Sequence, residues 1–190
     1  MISDFNLIAT SERGFESDAC SELWMQLRAA GDERPIVDRS NVRGLILTRT
    51  NLDPIEAVTR LRHELRKNPL RFRPILRVLP IERVTITEME GIVDVAHELA
   101  SHIGVDESFR ITVEKRRTGL RSRGVIDAVA DGIARRVDLG HPDWVVLVEI
   151  VGHLTGVSVV RPDSMLNVQK ERARLPVDGQ KRPPLDDQAR

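Results

Sequence analysis

A single cysteine, Cys20, excludes an internal disulfide and every zinc site that needs two or more thiolates. It suits a reducing cytosol. Its place on a predicted helix, beside apolar positions, reads as a buried structural thiol. Aromatic residues are scarce: four Phe, two Trp and no Tyr. Readers of single-stranded RNA stack bases on exposed aromatics. Here Phe109 and Trp144 begin predicted central strands, where a core position is expected. An aromatic recognition platform is thus disfavoured, whereas recognition of backbone and shape is not. Long apolar runs are also missing. The longest, Trp144 to Val151, contains Glu149 and falls far short of the roughly 20 residues a spanning helix needs. The N-terminus has neither a basic start nor a long apolar core and does not read as a signal peptide. These absences predict a soluble cytoplasmic protein with no membrane partner.

Catalytic signatures are missing as well. No phosphate-binding loop, dinucleotide fingerprint or nucleophile elbow occurs. His97 and His102 sit five positions apart on a predicted helix. Five residues turn a helix by roughly 500°, so the two rings point apart and do not form a metal pair. Gly152 to Gly156 reads as a hairpin turn, and Asp143 as a turn or capping residue before a strand. The sequence therefore predicts no catalytic residue, no metal and no cofactor: a protein that is not an enzyme.

What is present is a regular order of elements. Hydrophobic residues make up 41% of the 190 residues, enough for one large domain or two small packed ones. Phe5 to Thr10 reads as a strand. A helix follows from Ser17, its expected N-cap, to Ala30, with Ala19, Leu23, Met25 and Leu27 inward and Gly31 ending it. Pro35 to Val37 and Gly44 to Thr48 read as strands. Asp53-Pro54-Ile55-Glu56 opens a second helix that runs to Lys67. A strand pair from Pro74 to Ile86 completes a β-α-β-β-α-β order, the ferredoxin-like pattern. Thr87 to Glu90 then reads as a capping box for a helix striped by Ile92, Ala96, Leu99 and Ile103. A strand from Phe109 to Val113, a helix from Ser122 to Val137, and strands Trp144 to Ile150 and Thr155 to Val160 follow. The fold class is α/β (α+β), with a ferredoxin-like unit over 1–86 and a second α/β unit over 87–168. Residues 169–190 are charged, hold three prolines and lack apolar periodicity, and are expected to be a flexible tail.

The formal charge is zero, but its distribution is uneven. Met1 to Glu33 carries seven acidic residues against two basic ones. Arg60 to Arg83 carries eight basic residues against two acidic, and Phe109 to Arg123 six against one. The latter run, EKRRTGLRSRG, joins a strand end to a helix start. Free N–H groups and the positive end of the dipole favour phosphate there, and arginine gives forked contacts to phosphate oxygens. Lys115, Arg116, Arg117, Arg121, Ser122 and Arg123 are the candidate RNA contacts, with Arg71, Arg73 and Arg77 extending the track. The plainer alternative for either run is a solvated face, and for Arg60 to Arg83 a coat on an exposed helix and edge strand.

From Phe109 onward the sequence resembles the THUMP family. That family shows an aromatic-started strand (Phe109), a basic turn (Lys115-Arg116-Arg117), a helix opening near serine (Ser122), then Val137-Asp138-Leu139, Pro142-Asp143 and a strand over Val146 to Ile150. The resemblance is dense there and thinner over the rest of Thr87 to Val160. It implies an RNA-binding module of tRNA modification. With a ferredoxin-like domain in front, such modules hold the acceptor stem and 3′ end of tRNA. The architecture is similar to stand-alone THUMP proteins that serve tRNA cytidine acetyltransferase, the enzyme of N4-acetylcytidine formation (tRNA acetylation). The resemblance thus implies a tRNA-binding accessory protein presenting tRNA to that enzyme. Two alternatives stay open: a non-catalytic RNA-binding subunit of another tRNA-modifying enzyme, and a protein–protein module without RNA.

Overall fold

The structure is a computed structural model, and it describes residues 2–175. The first lobe contains β1 (Leu7–Ser11), α1 (Glu16–Ala29), β2 (Ile36–Arg39), β3 (Leu45–Arg49), α2 (Pro54–Lys67) and β4 (Ile75–Pro80). The strands lie in the order β4-β1-β3-β2 with every neighbour antiparallel. The β-α-β-β-α-β order of the first lobe thus closes into one antiparallel sheet. Alternation along each strand gives the sheet two apolar faces. Leu7, Ala9 and Ile46 face α1 and α2, which contribute Leu23, Leu27, Val58, Leu61 and Leu65. Ile8, Leu45 and Leu47 face the other way.

The second lobe contains β5 (Arg83–Ile86), α3 (Met89–Ala100), β6 (Ser108–Arg116), α4 (Ser122–Asp131), β7 (Arg136–Val137), β8 (Trp144–Val151) and β9 (Leu154–Val160). Its sheet runs β5-β9-β8-β6-β7, with β6 parallel to β7 and β8. One face carries Phe109, Val146, Val148, Val157 and Val159 against α3 and α4. The opposite face turns to the first lobe. Val151 and Leu154 pack with Ile8, Leu45, Leu47 and Ile81, and Val145, Leu147 and Val160 with Ile55 and Met165. Ser158 Oγ donates to Pro80 O at 2.7 Å, and Val159 N donates to the Glu82 carboxylate at 2.7 Å. Gly156 leaves room for this contact, because a Cβ there would stand 2.9 Å from Ile81.

Several expectations need correction. Arg83–Ile86 pairs with β9 and belongs to the second sheet, so the chain changes lobes near Ile81, not after Ile86. Short strands carry little periodicity, and nothing local tells which sheet an edge strand joins. The charged segment after Gln169 is not all tail. β10 (Leu166–Asn167) adds to the edge of β4, and α5 (Val168–Ala173) follows it. Buried Leu166 and Val168 anchor this return to the first lobe. Arg62 donates to Glu171 at 3.0 Å, and Arg172 to the Phe72 carbonyl. The remainder of that expected tail, 176–190, lies outside the described residues.

Three helix ends also differ. Phe15, not Ser17, is the N-cap of α1, and Met25 is 54% exposed; Glu22 and Gln26 take the inward positions beside Leu23. The expected box at Thr87 to Glu90 does not form, because the Thr87 hydroxyl pairs with Thr155 of β9 at 2.9 Å. The helix expected to run to Val137 stops at Asp131, and Arg136–Val137 forms an edge strand with Val137 exposed.

Candidate nucleic-acid interface

β6 extends through Arg116, three residues beyond the expected end, so Lys115 and Arg116 are strand residues and not part of a turn. Alternation then separates them. Ile111 and Val113 face the helices, which places Arg110, Thr112, Glu114 and Arg116 on the face that meets the first lobe. Arg116 donates to Glu149 at 2.8 Å. Glu149 lies on β8 and is 2% exposed. Burial pushes its carboxyl above the ordinary range; Arg116 opposes that most, and Arg77 of the first lobe also pulls it down. The two basic runs therefore meet at one buried carboxylate.

Beside this junction a groove of about 310 Å³ opens between the lobes, lined by Arg77, Arg110, Lys170 and Arg174 together with Asp163 and Glu171. Glu171 is already neutralised by Arg62 at 3.0 Å and Arg66 at 3.5 Å. Four cations thus face one unneutralised carboxylate, Asp163, inside a concave wall. Arg110 contributes a buried Nε donor without a hydrogen-bond partner. Such a groove suits a phosphate chain.

A second part of the surface surrounds the start of α4. Arg117 has a left-handed φ of 56° and turns the chain out of β6. Lys115 Nζ donates to Leu120 O at 2.8 Å and ties that turn down. No side chain caps α4 and no acidic residue stands in its first turn. A Cβ at Gly119 or Gly124 would meet nothing within 4 Å, so the backbone there is open. Arg121 and Arg123 are exposed beside Ser122 at this end, with Arg123 pairing Asp127 at 2.9 Å.

The expected sites are not all brought together. Arg77 joins the groove, but Arg73 does not. Its backbone N–H donates to Glu22 at 3.0 Å and its side chain lines a cavity beside α1, on the helix-covered side of the first sheet. Arg71 lies exposed two residues before it, at the end of a 3-10 turn. Conversely, Arg110, Lys170 and Arg174 were missed. Arg110 was hidden inside a β-alternating strand, although counting alternate positions from Arg116 would have reached it. Lys170 and Arg174 sit in the segment expected to be a tail, and only the apolar pair Leu166 and Val168 signals that it folds back.

The histidines do not converge. His97 Nε2 lies 3.0 Å from Val129 O and packs on Gly132, where a Cβ would meet the ring at 2.0 Å. His102 meets the Trp144 ring edge-on at 4.6 Å. Asp143 accepts from the Ser108 N–H and hydroxyl, each at 2.7 Å, and fastens the start of β6 to that of β8. Cys20 is half-buried against the first core, and burial raises its thiol pKa. Among the described residues no helix is long and apolar enough to cross a membrane.

A family model described as the THUMP domain matches residues 87–160. This stretch is a THUMP domain. The THUMP domain begins one residue after β5, the strand that completes its sheet from the preceding segment. Over 170 residues the chain is 25% identical to uncharacterized protein MJ0421 of Methanocaldococcus jannaschii, covering 87% of this chain and 43% of that protein. The chain thus spans less than half the length of this relative. Among solved structures, PH1313 from Pyrococcus horikoshii is similar with a TM-score of 0.63 at 17% identity, over 83% of this chain and 55% of that one. TrmN from Thermus thermophilus gives 0.54 at 20% identity, over 84% and 47%. A 4-thiouridine synthetase, solved with RNA and bound ATP, gives 0.54 at 16% identity, over 86% and 42%. At these identities the likeness is one of fold. It extends over more than four-fifths of this chain, so it takes in both the THUMP domain and the lobe before it.

Proposed function

We propose that this chain binds tRNA and presents it to a separate modifying enzyme, with the acceptor stem and 3′ end held by the THUMP domain and the first lobe together. The observation that carries this reading is the basic groove at the lobe junction, where Arg77 from one lobe and Arg110 from the THUMP domain face Lys170 and Arg174. THUMP domains are RNA-binding modules of tRNA modification, and one fold neighbour of both lobes is a synthetase solved with RNA. The exposed start of α4, with Arg117, Arg121 and Arg123, extends the surface and binds phosphate through its open amides. The resemblance to stand-alone THUMP proteins favours tRNA cytidine acetyltransferase as the enzyme served, and cytoplasm as the place. In this reading the chain performs no catalysis and binds no cofactor.

Binding of full tRNA and of tRNA lacking its 3′ CCA, measured across a salt series, tests the proposal. Intact tRNA should bind more tightly, and log K should fall steeply with log salt as counterions are released. Equal affinity for both RNAs would remove the 3′ end from the reading. Absence of binding at low salt would remove RNA binding by the chain alone. For the enzyme served, acetylation of tRNA by the purified acetyltransferase should rise when the chain is added; no change would reject that partner.

A further inference from the structure

Trp144, at the start of β8, is half-buried, and its ring is held from three directions. His102 meets it edge-on at 4.6 Å, its indole N–H donates to Glu107 at 2.7 Å, and the Arg161 guanidinium lies over its face, 3.9 Å from the ring centre. Arg161 follows the last residue of β9, beside the Val145–Val160 pair. Two further bonds fix its plane: Arg161 donates to Glu107 at 2.6 Å and to the Asp143 carbonyl at 3.3 Å. The side chain is nonetheless 45% exposed. One face of the plane is covered by the indole and two of its edges are bonded, which leaves the other face to solvent.

This plane stands beside the basic groove. Arg110 of the groove donates to the Leu139 carbonyl at 3.4 Å, so Arg110 and Arg161 both lean on the loop that joins β7 to β8. Their strands, β6 and β9, flank β8 and so run about 10 Å apart, two inter-strand spacings. Pro162 and Asp163, next after Arg161, line the groove itself. A guanidinium plane is weakly hydrated, and nucleobases stack on it as they do on aromatic rings. Here its bonds hold it flat before a ligand arrives, so little ordering remains to be done on binding. A base inside a duplex cannot lie there, because its neighbours in the stack cover both of its faces. We infer that Arg161, backed by Trp144, is a stacking shelf for one unpaired nucleobase of the RNA strand whose phosphates lie in the groove. The chain then selects a single-stranded segment over a duplex. This inference rests on the RNA-binding reading. It also accounts for base contact in a chain poor in aromatics: the indole stays in the core and an arginine carries its face to the surface.

The test uses an RNA hairpin with a single-stranded 3′ overhang, and versions in which each overhang base in turn is replaced by an abasic sugar. One abasic position should weaken binding roughly tenfold, the worth of one stacked base, with the salt slope unchanged because no phosphate is lost. Arg161→Lys keeps the charge and removes the plane. It should bind the intact RNA roughly tenfold more weakly and be indifferent to that abasic position, as coupled groups in a double-mutant cycle are. A second readout needs no variant of Arg161. In the unaltered protein the Trp144 indole N–H resonance should move with intact RNA and stay in place with that abasic RNA, while the Trp24 resonance stays in place with both. RNA that binds without a position-specific abasic loss, a loss that persists in Arg161→Lys, or an unmoved Trp144 resonance with intact RNA bound would each overturn the shelf and leave the RNA reading standing. Failure of every RNA to bind at low salt would overturn both.

Discussion

Each lobe buries one glutamate, and the two are handled in opposite ways. Glu149 of the THUMP domain is 2% exposed, and Arg116 answers it at 2.8 Å with Arg77 nearby. Glu22 of the first lobe is 9% exposed, and one of its oxygens has no partner. Burial raises both carboxyls above their ordinary value, Glu22 to about 7. The first glutamate gathers cations from two lobes into one place, which makes a positively charged junction. The second has Arg73 and Arg172 nearby but no ion pair with either, and the surface around it is acidic and apolar. The same residue type is therefore paired across the lobe junction in one case and left mainly to burial in the other, and the neighbouring side chains decide which.

The strongest way to break this comparison is to reverse the charge of the groove. Changing Arg77, Arg110, Lys170 and Arg174 together to glutamate should weaken tRNA binding roughly 100-fold or more. The salt slope should flatten by about one for each phosphate that is no longer neutralised. Filter binding or fluorescence anisotropy at several salt concentrations checks this. If tRNA affinity keeps its slope, the groove is not the RNA surface.

Next comes the pair itself. Arg116→Ala leaves Glu149 buried without its cation and should cost about 3–5 kcal/mol in urea unfolding, whereas replacing both by apolar residues of similar volume should cost much less. This outcome bears on the choice of RNA-binding variants. Arg116 stood among the candidate RNA contacts, and weaker binding by Arg116→Ala would mix partial unfolding with the removal of a phosphate partner. Arg121→Ala and Arg123→Ala, both exposed, test the surface at α4 without that ambiguity.

How far the sequence was legible follows the same division between local and distant causes. The Asp53 cap needed only neighbouring residues, and the structure shows its carboxylate accepting from the amides of Ile55 and Glu56 at 3.0 Å each. Gly31 and Gly152, at φ of 100° and 66°, end a helix and turn a hairpin where those turns were expected. Failures came where a distant residue competed. Thr87 gave its hydroxyl to Thr155, 68 positions away, and no box formed. Met25 lost its inward place to Glu22, whose carboxylate accepts from Arg73, 51 positions away. Basic runs were visible as runs, but which arginines share a surface depends on sheet pairing: β6 alternation put Arg110 and Arg116 on the junction face, and Arg73 fell beside α1.

The smallest effect is also the sharpest contrast between the two glutamates, because it reads the uncompensated one through pH. Both states of the protein hold the Glu22 proton below its ordinary value of 4.5. As pH rises toward about 7, the unfolded chain ionises while the folded chain, kept neutral mainly by burial against the pull of the Arg73 and Ile75 amides, does not. The folded state then binds more protons than the unfolded state, so stability falls across this window and levels off above it. Glu22→Gln removes that pH-dependent loss. It should be neutral near pH 4 and stabilising at pH 8, by at most about 3 kcal/mol. Urea unfolding of both proteins at these two pH values measures it. A gap that stays constant with pH would mean that the Glu22 proton is not linked to folding and that burial does not hold it on the folded chain.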